Sequence, residues 1–165
     1  MDLKRILRHL TAPDWVTRRA FPDRLMAAIE HAIHESEKEH CGELRFVVEA
    51  GLDLNQLLAG MTPRERAIEV FSQLRVWDTE HNSGVLIYVQ FVDRCTVILA
   101  DRGIAARVEQ SQWDAICQRM DREFHAGRFE QGALAAIGEI TVLLRRHFPA
   151  GKGDVDELAN RPVIL

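Results

Sequence analysis

At 165 residues, 47% hydrophobic and 28% charged, the chain is sized for one ordinary domain with short extensions, and its composition excludes a disordered polymer. Its 21 basic against 25 acidic residues give a formal charge of −4, so it has no basic field of the kind nucleic acid needs, and no nucleic-acid partner is expected. The longest apolar runs, Val85–Val92 and Cys95–Ala100, fall far short of the roughly 20 residues that cross a bilayer.

The N-terminus "MDLKRILRHL" carries charges inside its apolar pattern and lacks a small-residue cleavage site, so it does not read as a secretory signal. Cys41, Cys95 and Cys117 are odd in number and form no CxxC pair. Reduced thiols in the cytoplasm are expected.

In chain order, Leu3, Ile6, Leu7 and Leu10 fall at helical spacing, with Lys4, Arg5 and Arg8 between them. A helix of about ten residues does not hold alone in water. It is expected to dock on the domain's own surface, on a protein partner or on a membrane surface. After the turn-like "TAPDW", the stretch "FPDRLMAAIEHAIHESEKEH" predicts a helix with Pro22 near its first turn and Leu25, Ile29, Ala32 and Ser36 on one face. "GELRFVVEA" predicts a strand over about 43–50, and "GLDLNQLLAGM" an irregular, partly helical connection.

Thr62, Pro63 and Glu65 make a capping-box start for the helix "TPRERAIEVFSQL". "NSGVLIYVQFVDRCTVILADRG" reads as a hairpin whose loop is Asp93-Arg94, placing Val92 opposite Cys95 and Gly84 opposite Gly103. Ser111 with Asp114 predicts another capped helix, ending at Gly127. A last helix over about 130–147 stops before Pro149, and the tail "PAGKGDVDELANRPVIL" is expected to be mostly extended.

Both hairpin strands are apolar on successive residues, so both faces of their sheet should be covered. A strand, a crossover helix and a second strand make a parallel unit, and the hairpin adds an antiparallel neighbour. The expected fold is α/β, a three-layer α/β/α sandwich on a small mixed sheet containing a central β-hairpin. The expected organisation is an amphipathic helical segment over 1–20, one domain over 21–148 and an extended tail over 149–165.

The two ends of this hairpin lie about 25 to 30 Å apart at about 3.3 Å per residue, so one small site cannot use both Asp-Arg pairs. At the open end, Asp78, Glu80 and Asn82 enter one strand while Asp101 and Arg102 leave the other. Such oxygens on loops suit a hard cation, Ca²⁺ or Mg²⁺. The plainer reading makes Asp78 a turn cap and pairs Asp101 with Arg102 or a helix end. At the tip, a strand parallel to the first hairpin strand brings Glu49 and Asp53 toward Asp93, at the carboxyl ends where open α/β sheets bind ligands. A charged tight turn, however, needs no function.

"NSGVLIYVQFVDRCTVILADRGI", preceded by helix, strand and helix and followed by two helices, resembles the TPM domain, also called the TPM phosphatase domain, over roughly Pro22 to Phe148. The resemblance implies an α/β/α sandwich and a divalent-metal site in loops at one end of the sheet. Members include a thylakoid-lumen protein for which acid phosphatase activity has been proposed, and many membrane-tethered bacterial proteins. Asn82 and Ser83 stand where the common pattern has Asp and Asn, and Asp101-Arg102-Gly103 replaces its Gly-x-Gly exit. With neither a signal nor a transmembrane helix expected, this chain looks like a soluble, cytoplasmic bacterial branch.

Other motifs carry less. His31, His34 and Glu35 match neither HExxH nor HxxEH, and "AGKGD" lacks the remaining glycine and preceding strand of a P-loop. Two functions follow. One is a binding, scaffold or regulatory module with a cation held by Asp78, Glu80 and Asp101. The other is a metal-assisted phosphomonoesterase in which Arg102, beside Asn82, neutralises phosphoryl charge. No residue stands out as its nucleophile or base.

Overall fold

The computed structural model describes residues 3–151 and 157–165. Three helices, α1 (Leu3–Thr11), α2 (Asp14–Ala20) and α3 (Asp23–Glu37), lead into β1 (Glu43–Glu49). Then follow α4 (Leu54–Leu58), α5 (Pro63–Gln73), the hairpin β2 (Gly84–Gln90) and β3 (Cys95–Ala100), α6 (Arg102–Ala105), α7 (Gln110–His125), α8 (Phe129–His147) and β4 (Val163–Ile164). The sheet order is β3-β2-β1-β4, with β1 parallel to β2 and β4, and β3 antiparallel to β2. This is the expected α/β sandwich.

Alternation along each strand sorts the core into two layers. Leu44, Phe46 and Val48 of β1, Val85, Ile87 and Val89 of β2 and Ile98 of β3 pack against α3, α7 and α8. Val47, Leu86, Tyr88 and Val97 face the other way, onto Ala67 and Val70 of α5. Every residue of β1 and β2 is buried, which explains their unbroken apolar runs. In α3, Ile33 joins Leu25, Ile29 and Ser36 on the buried face, while Ala32 is only partly buried.

The capping box of α5 forms as its sequence dictates, Thr62 accepting from the Glu65 amide and Glu65 from that of Thr62. A second one, Asp53 with Gln56, starts α4. Two expectations are corrected. Helix α7 begins after Glu109 with no side-chain cap, so Ser111 lies within its first turn. The tail contributes β4 to the sheet: the Leu165 amide donates to Val48 O at 2.9 Å, and Glu43 accepts from the Glu157 and Leu158 amides. Part of that tail, residues 152–156, lies outside the described residues.

The hairpin is also shifted. Gln90 pairs with Cys95, so the loop is Phe91–Arg94, and the Asp101 amide donates to Gly84 O at 2.8 Å. The Gln90 side-chain carbonyl accepts from the Val92 and Asp93 amides, satisfying them outside the ladder. Arg94, and not Asp93, takes the positive φ, at 52°. Because the shift is two residues, each side chain keeps its expected face.

Candidate functional site

The open end is built from the loop after α5, the start of β2 and α6. Asn82 sits at φ 50°, with its amide on Thr79 O. Its side-chain oxygen accepts from Arg102 Nε at 2.6 Å. Asp101 is the N-cap of α6, one carboxylate oxygen accepting from the Arg102 amide at 2.7 Å. The other oxygen is buried without a hydrogen-bond partner.

Gly103 lies under this arch, donating to Asn82 O. A Cβ there would stand 2.6 Å from Asn82 O and 2.7 Å from His81 O, so the close backbone approach requires glycine. Thus Asn82, Asp101 and Arg102 come together. Asp78 and Glu80 are exposed on the same loop, and the Glu80 amide is held by the Glu157 carboxylate.

This set does not fit a divalent cation as it stands. The Arg102 guanidinium, a full positive charge, occupies the Asn82 oxygen. Among the described residues no group of three or more His, Cys, Asp or Glu side chains is placed to hold a metal ion. His31 and His34 do not line a shared site: His31 is exposed and His34 lies on the same outer side of α3.

At the tip, the three expected carboxylates go separate ways. Glu49 is buried on the α5 side, gripped by Arg66 through Nε at 3.0 and 3.1 Å and a terminal nitrogen at 2.8 Å. The Tyr88 hydroxyl donates to the same carboxylate. Bonding to Glu49 raises the Arg66 pKa, while burial first, and Glu49 second, raise that of Tyr88. Asp53 is spent on its cap.

Asp93 instead receives α1. Arg5 donates to both its oxygens at 2.8 to 3.2 Å and also to Met61 O. His9, fully buried at its side chain, accepts the Leu52 amide at Nδ1 and meets Asp93 through Nε2, both at 3.0 Å. The Leu52 bond leaves the proton on Nε2, so the imidazole donates to Asp93. Helix α1 therefore covers the carboxyl ends of β1 and β2 with its polar side. The sequence reading missed Arg5 and His9; their signal was an i, i+4 pair opposite the Leu3–Leu7–Leu10 stripe. A cleft of about 660 Å³ opens nearby, between α2 and the start of α8, with Phe91 and Phe129 in its lining.

Residues 20–143 match the TPM domain family, and the chain belongs to that family. Among solved structures it is similar to the BA42 protein of the psychrophilic bacterium Bizionia argentinensis, determined by NMR. The two are 32% identical with a TM-score of 0.76, over 86% of this chain and 93% of that one. No curated protein matches the sequence.

Proposed function

We propose that this chain is a TPM-type binding or scaffold module and not a phosphomonoesterase. The observation that carries the reading is the Arg102–Asn82 bond beside the Asp101 cap, which engages the Arg102 guanidinium with Asn82 and one Asp101 oxygen with the start of α6. A phosphatase needs a cation or free guanidinium at the phosphoryl oxygens and a nucleophile or activated water beside a base. In the described loop cluster the guanidinium of Arg102 is already engaged by Asn82. A cytoplasmic setting is part of the proposal, supported by the free thiols of Cys95 and Cys117.

A second reading, a regulatory Ca²⁺ or Mg²⁺ among Asp78, Glu80 and Asp101, rests on the buried, unpartnered Asp101 oxygen. The cation would have to displace Arg102 from Asn82. Both readings are tested by titrating the metal-stripped protein with each ion by calorimetry and NMR, and by assaying a phosphomonoester. Asp101→Asn serves as the control because it keeps a cap acceptor and removes the charge. The expected result is no saturable turnover. Turnover abolished in a folded Asp101→Asn protein would replace the binding-module reading with the phosphatase. Micromolar to millimolar binding with shifts at 78–84 and 101–104 would establish the cation.

A further inference from the structure

Helix α1 is mounted with its amphipathic pattern reversed. At about 100° per residue, Leu3, Leu7 and Leu10 share a stripe, and Arg5 and His9 lie away from it. The protein body takes Arg5 and His9, which leaves the stripe in solvent: Leu3 is 70% exposed, Leu7 63% and Leu10 54%. Helix α4, packed beside α1, adds exposed Leu54 and Leu58, four residues apart and so on one face. In α2, Trp15 is 62% exposed, with exposed Arg18 and Arg19 at the i+3 and i+4 positions.

Charge says what covers this surface. The first twenty residues hold five basic residues, Lys4, Arg5, Arg8, Arg18 and Arg19, against two acidic ones, in a chain that is net negative; Arg5 is spent on Asp93, while Arg8, Arg18 and Arg19 are exposed. Leucines on a short helix, an interfacial Trp and flanking arginines are the pattern of a helix lying in a lipid headgroup layer. An anionic bilayer attracts this end and repels the acidic remainder, which fixes the orientation. A protein surface able to seal three leucines would have to be apolar, and an apolar partner offers no counter-charge to the exposed Arg18 and Arg19. We infer that the α1–α4 face, with Trp15, Arg18 and Arg19, docks the protein peripherally on an anionic lipid surface.

Co-sedimentation of the full chain with phosphatidylcholine vesicles, and with vesicles in which part of that lipid is phosphatidylserine, tests the inference. Binding is expected only to the phosphatidylserine vesicles and should weaken as salt is raised. Leu7→Glu is expected to lower the partition coefficient more than about tenfold, the worth of one buried leucine. Arg18→Gln and Arg19→Gln should each lower it about fivefold. Because all three positions are exposed, unchanged thermal melting will confirm that the variants fold. No vesicle binding, or binding indifferent to Leu7→Glu, overturns the assignment. Self-association without vesicle binding, abolished by Leu7→Glu, overturns it in favour of a second copy of the chain. Cation binding or turnover at the open end bears on neither outcome.

Discussion

At the residue scale, the buried polar groups are organised in directed chains. The Gly42 amide donates to His40 Nδ1 at 3.2 Å, so Nε2 carries the proton toward Ser36 Oγ at 2.8 Å. Ser36 then meets Thr141 Oγ1 at 2.6 Å, and Thr141 donates to Ile137 O. The chain ties α3 to α8 and works only with a neutral imidazole. Burial lowers the His40 pKa from 6.5 to about 4.

Below pH 6.5 the unfolded state therefore binds the proton first, so stability falls as pH drops from 6.5 toward 4. A shift of this size contributes about 3 kcal/mol over that window. Urea unfolding at neutral pH and at about pH 4.5 should show the loss in wild type, whereas His40→Gln, less stable at neutral pH, should lose much less between the two conditions. Equal losses would remove His40 as the cause. The same burial pushes the Cys117 thiol up to about 12, which keeps it an inert thiol at neutral pH.

At the scale of elements, α1 buries a histidine and no apolar side chain. It is held by Arg5, Arg8 and His9 converging on Asp93, a hydrogen-bonded carboxylate at 11% side-chain exposure. Burial pushes the Asp93 carboxyl up, but the bonds from Arg5 and His9 outweigh it and hold the pKa below the ordinary value of 3.8. A depressed carboxylate contributes stability that is fully present above its unfolded value and is lost as pH falls through the folded one. Helix α1 is thus expected to stay docked at neutral pH and to loosen only in acid below about pH 4.

Asp93→Ala should weaken the docking by about 1.5 to 3 kcal/mol, the range for hydrogen bonds to charged groups. Amide exchange over residues 5–11 should then quicken about ten- to a hundredfold, with the sheet amides unchanged. Exchange spread evenly over the sheet would mean that Asp93 supports the whole domain instead. The analogous tip carboxylate, Glu49, is inward and paired with Arg66 and Tyr88, so it braces β1 and β2 against α5.

At the scale of the molecule, the sheet is the rigid frame, and its glycines mark where elements meet. A Cβ on Gly84 would stand 1.8 Å from Val76 O, a backbone atom that cannot give way without moving the loop after α5. Gly84→Ala is therefore expected to cost more than about 4 kcal/mol and to collapse the dispersed NMR spectrum of the folded state. Gly138, exposed within α8, makes the opposite case, because a Cβ added there would meet no atom within 4 Å. Gly138→Ala should stabilise by about 0.5 to 1 kcal/mol, raising the midpoint in urea.

What was legible at this scale follows from local physics. Continuous apolar runs announced strands buried on both faces, and Thr62-Pro63 with Glu65 announced the start of α5. Strand β4 was not legible, because two residues within a Gly- and Pro-rich tail carry no period, and only the open edge of β1 selects them.

The sequence by itself determined the layers of this protein, since hydrophobic periodicity and capping act over a few residues and need no partner to be specified. The family, too, was legible in the hairpin and its flanking helices. The tertiary structure alone decided which polar groups meet. Asp93 and Arg5 are 88 residues apart in the chain, and only the packed sheet brings the hairpin loop under α1. At the open end, what Arg102 and Asn82 do depends on a 2.6 Å contact between them. A guanidinium chooses among nearby oxygens by distance and burial, which side chains acquire only after the backbone has closed.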